Sequence, residues 1–233
     1  MTSVPPTRSL NGDGVRFPPA RALRLLTPGE RQGPESPDRR PRIHTAMIAV
    51  DICAFGDPRR DDIAQLRLRR EMYQQFARAC ASARLPWDQC YREDRGDGVM
   101  VITPSDVPIE TLIDPLGGHL ASVLHEYNRH ASQTARLQLR LAVHTGLVNC
   151  DEYGVTGQAL VHLFRLLEAR DFKDVLAASG ADLGVIVSER LYGDALSQGG
   201  LAAPEAYRRL QVDCKETRIH AHVRIPGPCG GGR

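Results

Sequence analysis

The chain has 233 residues, 42% of them hydrophobic and 25% charged, which is enough to build one large domain or two small ones around a real core. Its 30 basic and 28 acidic side chains leave a formal charge of +2, which argues against a chain-wide field for nucleic acid and against an acidic disordered protein. No run approaches the roughly 18–20 apolar residues of a membrane span, and the N-terminal sequence lacks a secretory signal. We therefore expect a cytoplasmic protein without a nucleic-acid or membrane partner.

Composition divides the chain into three parts. Residues 1–43 contain eight prolines and eight arginines and almost no apolar period, which predicts a disordered arm. Residues 44–226 carry alternating strand and helix patterns and form the predicted domain, and the glycine-rich stretch 227–233 is expected to be a flexible tail. The six cysteines are scattered without a C-x-x-C pair, which favours reduced thiols.

The first half of the domain predicts a strand, a helix, a hairpin and a second helix. The apolar run 46–50 is typical of a buried strand that ends at Asp51. Residues 61–84 follow as a helix whose apolar residues recur at helical spacing, namely Ile63, Leu66, Tyr73, Phe76, Ala77 and Cys80. Residues 90–102 indicate a β-hairpin with its tip at 95–98, and a second helix is expected over about 108–131.

The second half adds more strands and helices. Alternation over 137–143 predicts a half-buried strand that ends in His144-Thr145-Gly146, followed by another strand over 147–153. A helix is expected over 157–170, a short strand over 184–188, and a closing antiparallel pair over 207–213 and 217–225. This order predicts an α+β fold with a ferredoxin-like βαββαβ core and appended C-terminal strands and helices.

Two carboxylates stand where core strands are predicted to end. Asp51 follows the first apolar strand, and Asp97 lies in a Gly-Asp-Gly turn. Neighbouring central strands would bring both to one sheet edge, where paired oxygens can hold Mg²⁺ and, with two ions about 3.5–4 Å apart, activate an attacking oxygen. A strand-end aspartate is more often structural or solvated, so position alone leaves both interpretations open.

The surrounding motifs resemble the catalytic domain of class III nucleotide cyclases. They are DICAFG from Asp51, Gly96-Asp97, LRLAVHTG over 139–146 and GQALVHLFRLLEA over 157–169, in the family's order and at comparable spacings. The resemblance covers roughly 44–226 and is greatest to short single-domain cyclase-like proteins of actinobacteria. It implies a ferredoxin-like fold, two Mg²⁺ or Mn²⁺ ions, and a homodimer in which metals come from one protomer and an arginine from the other.

The resemblance also implies roles for single residues in metal and phosphate binding. Asp51 and Asp97 match the two metal-binding aspartates, and the carbonyl of Ile52 would be a further ligand. The backbone of Phe55, Gly56 and Asp57 would face the triphosphate, as amide-rich turns do for anions.

A second set of matched positions concerns the base and the transition state. Glu93 falls where these enzymes recognise the base, and a glutamate there is the choice of guanylate cyclases. Arg165 matches the arginine that stabilises the transition state, and Lys215 falls near the phosphate-binding lysine. Two positions depart from the family: Val161 replaces the usual asparagine, and Gly154 replaces the second base-recognising residue.

Three functional hypotheses follow. The first is a nucleotide cyclase that converts a nucleoside triphosphate to a 3′,5′-cyclic monophosphate and pyrophosphate. The second, motivated by Val161 and Gly154, is a weakened or inactive cyclase-like module that binds a nucleotide or a partner protein. The third is an RNA-binding sheet, which is disfavoured because only 5% of the residues are aromatic.

The His220 and His222 pair lacks further zinc ligands nearby in sequence, and His144 is expected to be a packing residue at a strand end.

Overall fold

A computed structural model of the chain describes residues 42–151 and 153–227. The arm predicted for 1–43 lies outside these residues except for its last two positions, which belong to the first strand, and so does the tail beyond residue 227. Within the described ranges the chain forms eight strands and five helices. The five cysteines in them are free thiols.

The secondary structure follows the order β-α-β-β-α-β and then continues. The strands are β1 Arg42–Ile52, β2 Tyr91–Asp94, β3 Gly98–Ile102, β4 Leu139–Asp151, β5 Gly154–Thr156, β6 Leu183–Ser188, β7 Arg208–Cys214 and β8 Thr217–Arg224. The helices are α1 Asp62–Ser82, α2 Asp114–Asn128, α3 Gln158–Glu168, α4 Arg170–Ser179 and α5 Glu189–Ser197. Short 3-10 turns cover Trp87–Gln89, Ile109–Leu112 and Pro204–Ala206.

All the strands described belong to one sheet of order β2-β3-β1-β4-β6-β8-β7, with β5 paired to β4. The first four strands, β2-β3-β1-β4, are antiparallel to their neighbours, which is the ferredoxin-like arrangement. Strand β6 then adds parallel to β4, and the β7–β8 hairpin extends that edge. The predicted α+β fold with appended C-terminal elements is confirmed.

Helices cover both faces of the sheet and create two hydrophobic cores. One core joins β1 to α1, α2 and α5, and the other joins the opposite face to α3 and α4. Residues 46–52 of β1 are buried on both faces, which explains why the strand is a continuous apolar run rather than an alternating one. None of the helices in the described ranges is long and apolar enough to cross a membrane.

Two predicted boundaries were wrong in the second half. Strand β4 does not end in His144-Thr145-Gly146 but runs unbroken to Asp151, because it pairs with β1 along the whole length of that strand. The predicted helix over 157–170 ends at Glu168, where Ala169 takes extended backbone angles of φ −56° and ψ 125°, and α4 begins at once. The second of these helices was not predicted from sequence.

Helix α1 buries only part of the predicted apolar set, since Phe76 and Cys80 lie in the core but the residues of its first turns do not. Its buried side includes Leu68, Met72 and Phe76, whereas Ile63 and Leu66 are 61% and 66% exposed. Its start is fixed by Asp61, whose carboxylate accepts a hydrogen bond from the amide of Ala64 at 2.8 Å. The apolar spacing therefore predicted the helix and the buried side of its C-terminal half correctly, but not the exposure of Ile63 and Leu66.

Candidate active site

Asp51 and Asp97 meet at the edge formed by β1 and β3. The amide of Ile52 donates to the carbonyl of Asp97 at 3.0 Å, and Asp51 pairs in register with Gly98. A side chain at Gly98 would place its Cβ 2.3 Å from the carbonyl oxygen of Val50, so only glycine allows this approach. Asp51 on β1 and Asp97 in the turn just before β3 therefore lie at the same end of two neighbouring strands, and the Asp97 carboxylate is exposed and has no partner among the described residues.

Asp51 is engaged by a residue that sequence analysis did not single out. Arg140, directly opposite on β4, donates from Nε to Oδ1 of Asp51 at 2.8 Å and from Nη2 to Oδ2 at 2.6 Å. The two side chains are only 9% and 13% exposed. Burial raises the pKa of Asp51 to about 6, even though Arg140 acts in the opposite direction. In the sequence Arg140 falls on the polar side of the alternation over 137–143, where nothing distinguishes it from a solvated arginine.

The oxygen atoms at this edge can be compared with the ligands that a divalent cation requires. Two carboxylates and the Ile52 carbonyl are hard oxygen ligands of the kind Mg²⁺ and Mn²⁺ prefer. The charge of Asp97 raises the pKa of Asp51, so this edge concentrates negative charge, and Arg140 now supplies the compensating cation. The described residues hold no cluster of three or more His, Cys, Asp or Glu arranged for a metal. The ligand atoms are therefore of the right type for a divalent metal ion, provided that the Arg140 guanidinium releases the Asp51 carboxylate.

The loop after β1 presents two free amides rather than the three expected. The amides of Phe55 and Gly56 have no acceptor among the described residues, whereas that of Asp57 donates to the carbonyl of Ala54 at 3.1 Å. The Asp57 carboxylate accepts hydrogen bonds from Arg59, which hold its pKa well below the usual range. The predicted turn is thus present, with the Asp57 amide used internally.

A second corner of the candidate site contains Glu93 and Gly154, the two residues at positions matched to base recognition. The Oε1 atom of Glu93 accepts from Nη1 of Arg95 at 2.7 Å, and Oε2 accepts from the Tyr91 hydroxyl at 3.3 Å. A Cβ at Gly154, whose φ is +137°, would lie 3.1 Å from the Tyr91 hydroxyl and 4.0 Å from Oε2 of Glu93. Burial raises the pKa of Tyr91 to about 12, so its hydroxyl stays protonated. The structure brings Glu93 and Gly154 together and adds Tyr91, which sequence analysis missed.

Arg165 and Lys215 form a third corner at the C-terminal end of α3. The Nη2 atom of Arg165 donates to Oε1 of Glu216 at 2.8 Å, and its Nε is buried without an acceptor in the described part of the chain. Lys215 and Glu216 make the two-residue turn between β7 and β8, where Lys215 has a φ of +54°. Val161, one turn before Arg165, is 36% exposed and offers no polar atom.

The predicted residues thus divide into groups that do not touch one another within the protomer. No hydrogen bond or ion pair in the described ranges joins Arg165 or Lys215 to Asp51 or Asp97. Each of three site charges has an internal counter-ion, namely Arg140 for Asp51, Arg95 for Glu93 and Glu216 for Arg165. Substrate would have to displace these partners.

Solved structures share this architecture. An adenylate/guanylate cyclase/hydrolase from Silicibacter pomeroyi is similar with a TM-score of 0.59 and 15% identity, over 81% of this chain and 99% of that one. The guanylyl cyclase Cya2 gives 0.57 and 14%, over 82% and 96% of the two chains. The catalytic core of a rhodopsin-guanylyl cyclase with converted specificity, in complex with ATPαS, gives 0.54 and 11%, over 82% and 99%.

These likenesses define the fold. The chain is an α+β domain built on a ferredoxin-like sheet, and more particularly it has the fold of adenylate and guanylate cyclase catalytic domains. No protein-family model matches the sequence, and no curated protein matches it. The predicted resemblance in fold is confirmed, while the activity belongs to the proposal below.

Proposed function

We propose that this chain is a metal-dependent nucleotide cyclase that acts as a homodimer. It would convert a nucleoside triphosphate to a 3′,5′-cyclic monophosphate and pyrophosphate. The observation that supports this most directly is the meeting of Asp51 and Asp97 at one edge of a sheet with cyclase topology. The charge of Asp97 acts on the buried Asp51 carboxylate and raises its pKa, and a cation bound between the two would relieve this repulsion.

Different residues of the chain would bind the metal, bind the phosphates and stabilise the charge that develops in the reaction. Asp51, Asp97 and the Ile52 carbonyl would hold two Mg²⁺ or Mn²⁺ ions, which when bound would supply a Lewis acid for the phosphate and lower the pKa of the ribose 3′-hydroxyl. The free amides of Phe55 and Gly56 would donate to phosphate oxygens. As the 3′-oxygen bonds to the α-phosphorus and pyrophosphate leaves, Arg165 and Lys215 would stabilise the negative charge on the phosphates.

A second copy is part of the proposal because one protomer leaves the site incomplete. Arg165, near the C-terminal end of α3, and Lys215, in the turn between β7 and β8, have no hydrogen bond or ion pair with either aspartate in the described ranges. A homodimer would place these cations from one protomer against the Asp51–Asp97 edge of the other. The rearrangement would also release Arg140 and Glu216 from their present partners.

Base selection is proposed to centre on Glu93 and Tyr91. The Glu93 carboxylate can accept hydrogen bonds from the N–H groups of a guanine edge, and the Tyr91 hydroxyl occupies the space next to Gly154. GTP is therefore the favoured substrate. Arg95, whose guanidinium stacks 4.8 Å from the Phe164 ring centroid, would have to release Glu93 when the base binds.

A direct assay tests the activity. Purified full chain is incubated with Mn²⁺ or Mg²⁺ and each of the four triphosphates, and cyclic product is quantified by mass spectrometry. We expect product from GTP above that from the other bases, and its loss in Asp97→Asn. Asp88→Asn is the matched control, since Asp88 is an exposed aspartate on the 3-10 turn after α1. The absence of product above the Asp97→Asn background would contradict the proposal.

A second candidate function is a nucleotide-binding module without turnover. Val161 favours it, because an exposed valine stands where these enzymes use an asparagine. Losing one polar partner costs about 1–3 kcal/mol, or roughly 5- to 150-fold in rate. A gain of that size in Val161→Asn would indicate a weakened enzyme. Tight triphosphate binding without turnover in both proteins would support the binding module instead.

A further inference from the structure

A cavity of about 540 Å³ lies at the N-terminal end of α3, far along β4 from Arg140. Its walls come from β1, β4, α3 and α5 and include Arg42, Leu147, Asn149, Gln158 and Arg190. This volume lies within the range of ordinary small-molecule sites. The cavity shares no residue with the three corners described above.

The charge of this cavity has a single sign. Two arginines supply this charge, the imidazoles of His144 and His162 line the cavity beside them, and no aspartate or glutamate is among the lining residues. Arg42 has no ion pair in the described part of the chain, and Arg190 has a loose one, 3.9 Å from Asp194 with its side chain 68% exposed. Such weak exposed pairing leaves most of the positive charge uncompensated.

The backbone adds further donors. Helix α3 begins after Gly157, which provides no side-chain cap, and the amides of Gln158 and Ala159 have no acceptor in the described ranges. A helix of 11 residues directs the positive end of its dipole at this point. A Cβ at Gly157 would lie 3.7 Å from Nδ2 of Asn149, which places an amide donor beside the helix end.

His144 supplies the independent indication of a ligand. Its side chain lines the cavity, the residue is only 9% exposed, and its buried Nδ1 has no hydrogen-bond partner. The other ring nitrogen, Nε2, would lie 3.7 Å from a Cβ at Gly146, on the cavity wall that Gly146 and Ala159 share. Because Nδ1 is enclosed by protein, Nε2 is the atom through which this imidazole can meet a ligand.

We propose that this cavity is a binding site for a phosphate-class oxyanion, separate from the proposed active site. Arg42 and Arg190 would supply charge, the first amides of α3 and the Asn149 amide would supply directed donors, and Nε2 of His144 would complete the set. Charge-assisted hydrogen bonds of this kind favour phosphoryl oxygens over chloride. The site does not depend on cyclase activity in this chain.

The test is a titration of the full chain followed through its histidine side chains. Ring ¹⁵N–¹H spectra are recorded with sodium phosphate against sodium chloride of equal ionic strength, and a second series uses a nucleoside monophosphate. We expect saturable shifts of His144 and His162, assigned with His144→Gln and His162→Gln, and none of His119 or His125 on α2. Saturation by orthophosphate would identify the free ion, and saturation by the monophosphate alone would identify a phosphoryl group on a larger ligand.

Two double variants decide where the anion binds. Arg42→Gln with Arg190→Gln removes exposed charges at no risk to the fold and should weaken binding by at least about tenfold. Arg165→Gln with Lys215→Gln removes the cations of the proposed active site and should leave the affinity unchanged. Unsaturable shifts, equal affinity in the first variant, or loss of binding in the second would each overturn the proposal.

Discussion

The two ends of helix α3 differ in whether nearby carboxylates compensate their positive charges. At the C-terminal end three cations have a carboxylate partner, in the pairs Arg140–Asp51, Arg165–Glu216 and Lys173–Glu168. At the N-terminal end the cationic groups lining the cavity have no carboxylate among them. Charges compensated inside the fold stabilise it and must be released before they can act on a ligand. Uncompensated charges cost stability and are ready to bind.

The variant with the largest expected effect on this comparison removes the buried guanidinium of Arg140. Arg140→Leu should lower the free energy of unfolding by about 3–5 kcal/mol, because it leaves the Asp51 carboxylate buried without its counter-ion. Urea unfolding at pH 7.5 measures this change.

The matched control for Arg140 is an arginine in an exposed pair. Arg78 bonds Glu126 with side chains 52% and 65% exposed, so Arg78→Leu should change stability by less than about 1 kcal/mol. Adding Asp51→Asn to Arg140→Leu should restore much of the loss, because the unpaired charge is gone. Equal effects of the two arginine variants would show that Asp51 and Arg140 are not a buried pair in solution.

The next effect is a pH dependence at the opposite end of α3. Burial, and the nearby His162, Arg190 and His44, lower the pKa of His144 to about 4 from an ordinary 6.5. As pH falls below 6.5 the unfolded chain takes up this proton before the folded one does, so stability is lost between pH 6.5 and 4. The contribution of His144 to the free energy of unfolding should therefore fall by about 2 kcal/mol between pH 7 and pH 5.

A difference measurement isolates that contribution. Urea unfolding of the parent and of His144→Gln is compared at pH 7 and pH 5, so that other titrating groups cancel. The parent should lose about 2 kcal/mol more than the variant. His220→Gln is the control, since His220 lies exposed on β8, and it should follow the parent. Parallel losses in all three proteins would mean that His144 titrates normally.

The sequence predicted those features that depend on local pattern. The apolar run before Asp51, the Gly-Asp-Gly hairpin and the closing strand pair were placed within a few residues, and with them the ferredoxin-like order. The predicted edge shared by Asp51 and Asp97 follows from that order, because β1 and β3 are neighbours. Register, turn chemistry and alternation carry this information along the chain itself.

The features that were missed depend on contacts distant in sequence. Arg140 binds Asp51 across 89 residues, and Glu216 binds Arg165 across 51. Neither partner differs by type from the many solvated arginines and glutamates of the chain. The run LRLAVHTG predicted a strand that ends in His144-Thr145-Gly146, whereas pairing with β1 carries β4 on to Asp151. Which counter-ion meets each site charge is decided by this packing.

The smallest effect concerns the ion pair on Arg165. Glu216 is 68% exposed, so Glu216→Gln should leave the free energy of unfolding unchanged within error. Because the same carboxylate competes with substrate phosphate for Arg165, the KM for the triphosphate should fall by up to about fivefold. Initial rates with Mn²⁺, or calorimetric binding if turnover is absent, measure this change.

A second variant on the same hairpin shows whether the change is specific to Arg165. Asp213 pairs with Arg218 at 3.3 Å on exposed side chains, so Asp213→Asn removes a carboxylate of equal charge without touching Arg165. It should leave the KM unchanged. If both variants lower the KM alike, the gain comes from the net charge of the hairpin. If neither does, Arg165 is already free of Glu216 in the assembled site, and compensation at this end of α3 does not limit substrate binding.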